Sequence, residues 1–272
     1  MKFIVVESGG TKSTWKWQDN NSVKTLSSDG LHPFEMTHEK RINIKNIIQK
    51  ENIPIASTIY FYGAGCESAI GRETIQSLFN ELGFTSIIIN TDLLAACRAT
   101  LGNKSGVTAI LGTGAISANY NGKEIIATHS GWGYILGDEG SGFDIGKRLL
   151  RAYLKKKLKP VHNEIIESHF EGKSNIFPQV YGENGRKKVA SLAKKFHPVK
   201  KDSEIKSCII SAFDDFYREA ILPHGKIDEL AFVGSIAYYY QEELKEALVK
   251  HKISVSQILP QAIDKLFEFH RN

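Results

Sequence analysis

Cysteine is scarce in this chain of 272 residues: Cys66, Cys97 and Cys208 are all there is, and no two share a Cys-x-x-Cys spacing. An odd number without that spacing argues against a disulfide framework and a thiolate zinc site, and it fits a reducing compartment. Long apolar runs are missing too. Ile87-Ile88-Ile89 and residues 231–240 stop far short of the roughly twenty residues that a membrane-spanning helix needs. The opening residues run into one short strand and then into polar glycines, too brief for the apolar region of a secretory signal. No membrane partner and a cytoplasmic location are therefore expected. Nor is there a strong excess of one charge, the formal net charge being +5. Lysine and arginine are denser at 147–159 and 186–201, but no aromatic platform or reading helix accompanies them, so nucleic acid is not an expected partner. In the first stretch Leu150, Leu154 and Leu158 recur every four residues, which predicts a packed helix with a solvated basic face. With 42% hydrophobic and 24% charged residues, the chain has the balance of a soluble globular protein large enough for two cores.

What the sequence does have is a repeated opening plan. Residues 3–7 read as a buried strand, 8–12 as a turn, 13–18 as a returning strand, 19–21 as a second turn and 22–28 as a third strand. A helix at 39–50, a strand at 58–62 ending in Gly63-Ala64-Gly65, a helix at 67–82, a strand at 86–90 and a helix at 92–100 complete an α/β layer. The plan then restarts: strand 107–111, a turn at Gly112-Thr113-Gly114, strand 115–120, a hairpin turn at Asn121-Gly122 and strand 123–129. The order of elements matches although the residues differ. Helices are predicted at about 143–158, 163–168, 185–197, 202–222, 237–250 and 261–270, with one strand at 229–233 that ends at Gly234-Ser235.

Clustered backbone N–H groups bind phosphate well, because each offers partial positive charge without a bulky side chain. Gly9-Gly10-Thr11-Lys12-Ser13-Thr14 supplies such a turn together with hydroxyls and the Lys12 ammonium, and Gly112-Thr113-Gly114 supplies a second. A single glycine turn is more simply a tight hairpin. Two at matching places, with Gly234-Ser235 as a third, favour a nucleotide. There is no G-x-x-x-x-G-K-[ST] loop, and no G-x-G-x-x-G opens a helix after the first strand. Phosphoryl transfer also needs carboxylates, to take a proton and to hold magnesium. Asp92, expected at the N-cap of a helix after a strand, is the candidate base, and a plain helix cap is its bland alternative. Glu7 precedes the first turn and is expected to reach a magnesium-bound water. The stretch 131–142 is rich in glycine and carries Trp132, Asp138 and Glu139, an apolar face and acceptors that suit a sugar.

These residues, in this order, resemble the N-acetylglucosamine kinases of the BadF/BadG/BcrA/BcrD ATPase family, in the actin/hexokinase/heat-shock-70 superfamily. The likeness spans nearly the whole chain, and Gly131-Trp132-Gly133 through Gly137-Asp138-Glu139-Gly140-Ser141 is its most specific piece. The resemblance implies an α/β fold of two ribonuclease-H-like domains, of actin/hexokinase type, around a nucleotide cleft: 1–104 plus 255–272, and 105–254. It implies ATP and Mg2+, with Ser8, Gly9, Gly10, Thr11 and Lys12 as the first phosphate loop and Thr113 and Gly114 as the second. Gly234 and Ser235 would lie beside the adenosine. Asp92 would take the proton of the 6-hydroxyl of an amino sugar, N-acetylglucosamine first, and Gly65, Gly131, Trp132, Gly133 and Asp138 would face that sugar. His32 stands where the family has a sugar-contacting asparagine, and Ala115-Ile116 replaces a common Ser-Asn. A binder without turnover, or one of different specificity, is the alternative within the same family, and a homodimer is open.

Overall fold

The computed structural model describes residues 3–10, 12–20 and 22–271; Thr11 of the first turn and Asn21 of the next lie outside the described residues. The strands are β1 (Phe3–Ser8), β2 (Lys12–Asp19), β3 (Ser22–Asp29), β4 (Thr58–Gly63), β5 (Ile87–Thr91), β6 (Gly106–Leu111), β7 (Ala115–Tyr120), β8 (Ile125–Ser130), β9 (Glu229–Val233) and β10 (Ser254–Leu259). The helices of the first half are α1 (His38–Lys50), α2 (Ala69–Glu81) and α3 (Asp92–Leu101). Then follow α4 (Gly133–Leu136), α5 (Gly142–Leu154), α6 (Pro160–His169), α7 (Ile176–Val180), α8 (Gly185–Phe196), α9 (Ser203–Phe216), α10 (Ser235–Tyr239), α11 (Gln241–Val249) and α12 (Ile263–Arg271). They form two compact units, 1–103 with 262–272, and 104–261.

In the first unit the sheet order is β3-β2-β1-β4-β5, with β1 antiparallel to β2 and parallel to β4, and β4 parallel to β5. Ile4, Val5 and Val6 are fully buried, a run rather than an alternation, because helices cover both faces of a central strand. One face packs Trp15 edge-on to Phe79 and Phe79 against Phe61, with Ile44, Ile48, Ile75 and Leu78 of α1 and α2 beside them. On the other face α12 packs on α3, β1 and β2. Its far end is held where Arg98 donates to the Tyr62 hydroxyl at 2.5 Å and that hydroxyl meets His270 Nε2 at 2.8 Å. Burial pushes the His270 imidazole down to about 4, so it stays neutral at ordinary pH.

The second unit repeats the order as β10-β9-β6-β7-β8, so β6, β7, β8, β9 and β10 take the places of β1 to β5. Each is the ribonuclease-H-like arrangement, an antiparallel meander continued by parallel strands. Its core centres on Ile145, Leu149, Phe196, Phe213, Phe216, Phe232 and Leu244.

The structure departs from the sequence reading in several places. β10 was not expected: Ser254-Val255-Ser256-Gln257-Ile258-Leu259 is short and half polar, and only pairing with β9 makes it a strand. It belongs to the second unit, so the return to the first falls at Ala262 rather than at 255. α5 ends at Leu154, before Lys156 takes a φ of 54°; Leu154 is exposed and the buried stripe is Ile145, Leu149, Leu150 and Tyr153. The helix expected over 202–222 ends at Phe216 and passes through a π-helical turn, Tyr217–Ile221. The one expected over 237–250 is broken at Tyr240.

The near end of α12 is held by Glu7, whose two carboxylate oxygens accept the Ala262 N–H at 3.1 Å and the Ile263 N–H at 2.7 Å. The first donors of a helix have no partner within it, so a carboxylate placed there stabilises the end by hydrogen bonds and charge. Glu7→Ala leaves two donors without that partner and is expected to lower the unfolding free energy by about 1–2 kcal/mol. Urea denaturation at pH 7.5 measures it; a variant as stable as wild type would exclude the cap.

Candidate functional site

Strand register brings the first group of residues together. Ser8 pairs with Gly63 and Gly63 with Thr91, so β1, β4 and β5 end level with one another. In a partly parallel sheet that carboxyl edge is where ligands are met. Asp92 follows directly. It is the first residue of α3 rather than its cap, since Thr91 has the extended backbone and its hydroxyl accepts the Leu94 N–H at 3.1 Å. Asp92 is thus not needed as a cap. Its Oδ1 accepts the Leu93 N–H at 2.9 Å, which fixes the carboxylate's orientation.

Burial pushes the Asp92 carboxyl up to about 6, and the charge of nearby Glu67 adds to the rise. Glu67 went unnoticed in the sequence; its only signal was its place two residues after Gly65 at a strand end. Burial also raises the Glu7 carboxyl, opposed by its two backbone hydrogen bonds and helped by the charges of Asp92 and Asp264. Glu7 was expected to reach a magnesium-bound water, but both its oxygens are engaged with α12. Among the described residues no group of three or more His, Cys, Asp or Glu could hold a metal ion.

Gly65, with a φ of 82°, lies against the next candidate. A Cβ there would sit 3.1 Å from the His32 ring and 2.9 Å from Pro33. The His32 Nδ1 is buried and has no hydrogen-bond partner among the described residues. The Ser8 hydroxyl, expected to donate to a phosphate, is instead buried and bonded to Ser13 and to the Leu31 N–H. Lys12 is exposed at the mouth of its turn.

A second group forms in the second unit. Gly234 has a φ of 125°, and a Cβ on it would collide with the Leu111 carbonyl, so the Gly234-Ser235 turn presses directly on the Gly112 turn. The Gly234 N–H donates to the Leu259 carbonyl at 2.8 Å, at the end of β10. Asp138 lies beneath the same turn, its oxygens 3.0 Å from where a Gly114 Cβ would be, and it accepts the Ala115 N–H at 3.1 Å. With 3% of its surface exposed and Arg186 at 3.4 Å, it braces the turn and offers little to a ligand, contrary to the expectation that it faces sugar. Asp138 and Ser130 both hold a φ of 63°, an uncommon conformation outside glycine, at the two ends of the intervening loop. Ile116 presses on Gly131, where a Cβ would be 2.6 Å from its Cδ1. Trp132 turns outward, 65% exposed, and Gly133, at a φ of 81°, starts α4. Ser117 lies inside, donating to the Ala220 carbonyl at 2.6 Å, and takes no part in the turn.

The glycines separate into two kinds. Gly30, Gly65, Gly114, Gly131 and Gly234 are demanded from within, by a close neighbour or a left-handed backbone. Gly9, Gly10 and Gly112 are not: none is left-handed, and an added Cβ would meet nothing closer than 4.0 Å. Among the described residues nothing requires glycine at those three positions, and close approach from outside is a physical reason for it.

No family model matches the chain. The N-acetylmuramic acid/N-acetylglucosamine kinase of Clostridium acetobutylicum is 27% identical over 178 residues, 61% of this chain and 58% of that protein. The N-acetyl-D-glucosamine kinase of Dictyostelium discoideum is 32% identical over 174 residues, 57% of this chain and 54% of that protein. The chain thus spans a little over half the length of the curated relatives it matches. Among solved structures, a provisionally named N-acetylglucosamine kinase from Porphyromonas gingivalis superposes with a TM-score of 0.89 at 26% identity, covering 99% of both chains. The chain is therefore similar in sequence to N-acetylglucosamine kinases and carries the two-domain actin/hexokinase-type fold in which each half repeats one sheet order.

Proposed function

We propose that the protein is an ATP-dependent sugar kinase acting on the 6-hydroxyl of an amino sugar, with N-acetylglucosamine the first candidate. The observation that carries this reading is the set of glycines, Gly9, Gly10 and Gly112, that no contact among the described residues and no left-handed backbone calls for. Two matched turns of that kind let the backbone come close to a polyphosphate, with the Lys12 ammonium and the Thr113 hydroxyl beside them. Gly234 and Ser235 serve the nucleoside end, braced on the second turn. Magnesium would enter with the nucleotide, as part of the substrate. The names of the relatives support the choice of sugar class.

Asp92 is the base. At about 6 its carboxyl is ionised at neutral pH yet basic enough to accept a proton from an attacking hydroxyl. The Leu93 N–H holds it in one orientation, and Glu67 keeps its proton affinity high. His32 and Gly65 line the sugar side of the same edge, where the buried His32 Nδ1, without a partner among the described residues, would be satisfied by a sugar hydroxyl or amide.

ADP release measured with N-acetylglucosamine, N-acetylmannosamine, N-acetylmuramate, glucosamine and glucose tests the reading. At least one amino sugar is expected to stimulate it, and Asp92→Asn to slow it by about 10²–10⁴-fold. The rate should be half-maximal on its acid side at about pH 6. No stimulation by any sugar, or a variant as active as wild type, would overturn the mechanism; calorimetric binding without turnover would make the protein a binder.

The same carboxyl has a stability signature. Its folded pKa lies above that of an unfolded aspartate, so it favours folding below about pH 4 and loses that contribution as the pH rises through about 6. Asp92→Asn, which never ionises, is therefore expected to melt higher than wild type at pH 7.5, with the difference shrinking toward zero near pH 4. Thermal melts across that range check it, and a variant that melts lower at pH 7.5 contradicts the burial of the charge.

A further inference from the structure

Two buried serines join the phosphate turn to the segment that carries His32. Ser8 closes β1 and Ser13 opens the buried part of β2, on either side of the Gly9–Lys12 turn, and neither exposes more than 1% of its surface. The Ser13 hydroxyl donates to Ser8 Oγ at 2.7 Å, and the Leu31 N–H donates to both oxygens, at 2.9 and 3.1 Å. Next to it, Gly30 lies so close to the turn that a Cβ would be 2.6 Å from the Gly9 oxygen and from the Gly10 carbonyl. The Lys40 ammonium holds the Gly30 carbonyl at 3.3 Å. His32 is the residue after Leu31, and its ring lies on Gly65. Turn and segment thus share hydrogen bonds and backbone contact within the first unit.

We propose that Ser8 and Ser13 are positioning residues that make the phosphate turn and the His32 segment one piece, so that nucleotide and sugar strengthen each other's binding. The inference rests on the kinase reading and adds a route for communication between the two ligands. Whatever orders the turn fixes the Leu31 N–H, and with it the backbone that presents His32. The ligand that binds second then meets a segment whose ordering the first has already met. By linkage the effect is reciprocal. Neither hydroxyl touches substrate in this arrangement; both act through the Leu31 amide.

Calorimetry on the full chain tests it, titrating N-acetylglucosamine with and without saturating AMPPNP. Wild type should bind the sugar roughly ten-fold tighter with the nucleotide analogue present. Ser8→Ala and Ser13→Ala each leave the Leu31 N–H one acceptor and should lower that ratio; the double variant leaves it none and should bring the ratio to within about two-fold of unity. Gly30→Ala, which pushes the segment off the turn, should do the same without touching either serine. Circular dichroism confirms folding, and the single variants carry the test if the double variant does not fold. A merely structural role would lower the melting temperature and leave the ratio at its wild-type value, which would overturn the proposal. So would a wild type that binds both ligands independently. A wild type that binds neither ligand overturns the kinase reading itself, and the clamp with it.

Discussion

The end of β1 is the constraint on which the rest of the first unit depends. Successive side chains of a strand point to opposite faces, so Glu7 and Ser8 necessarily aim in opposite directions from one point of the chain. Glu7 holds the N-terminus of α12 on one side, and Ser8 holds the Leu31 amide on the other. The glycine turn begins with the next residue. Three segments, two of which carry candidate chemistry, are thereby fixed relative to a single buried strand, and that strand is rigid because it is covered on both faces. A shift of β1 by one residue would exchange the two partners and undo all three attachments at once.

The second unit reaches a comparable arrangement with different means. Where the first uses hydroxyls, it uses the close approach of Gly234 to Leu111 and the carboxylate of Asp138 under Ala115. Both solutions place glycine in the turn, with the Lys12 side chain exposed at the first and the Thr113 side chain exposed at the second. The shared property is therefore a turn whose glycines have room around them, at Gly9 and Gly10 in one and Gly112 in the other, while the bracing behind it is free to differ. That is why the two meanders match in their order of elements and hardly at all in residues.

Much of this was legible in the sequence where the signal is local. The two meanders follow from glycine turns between β-rich runs, and the α/β layer after the first from alternating periods. What failed was non-local. Ser254–Leu259 is a strand only because β9 lies beside it. Glu7 reads as a carboxylate at a strand end, and nothing nearby announces that its partners follow 255 and 256 residues later. Asp138 looks like a sugar ligand until its burial is known. Ser13 reads as one more hydroxyl of the phosphate turn and Glu67 as an ordinary glutamate after a turn; only their neighbours in space show Ser13 bonded to Ser8 and Leu31 and Glu67 beside Asp92. The separation of glycines demanded from within from those that are not needs coordinates throughout, since both kinds look alike in a sequence.

The attachment of α12 also sets an order of assembly. The second unit is one continuous stretch, so its sheet has all its strands once that stretch has been synthesised. The first unit begins earlier and finishes later, because its last helix follows the whole of the second. Until then Phe3 and Tyr60 lack the ring contacts of Phe267 and His270, and Glu7 lacks both its donors. A growing chain thus carries an apolar face and a desolvated carboxylate that only its last segment can cover, and this is the interval in which nascent chains are most exposed to association with one another.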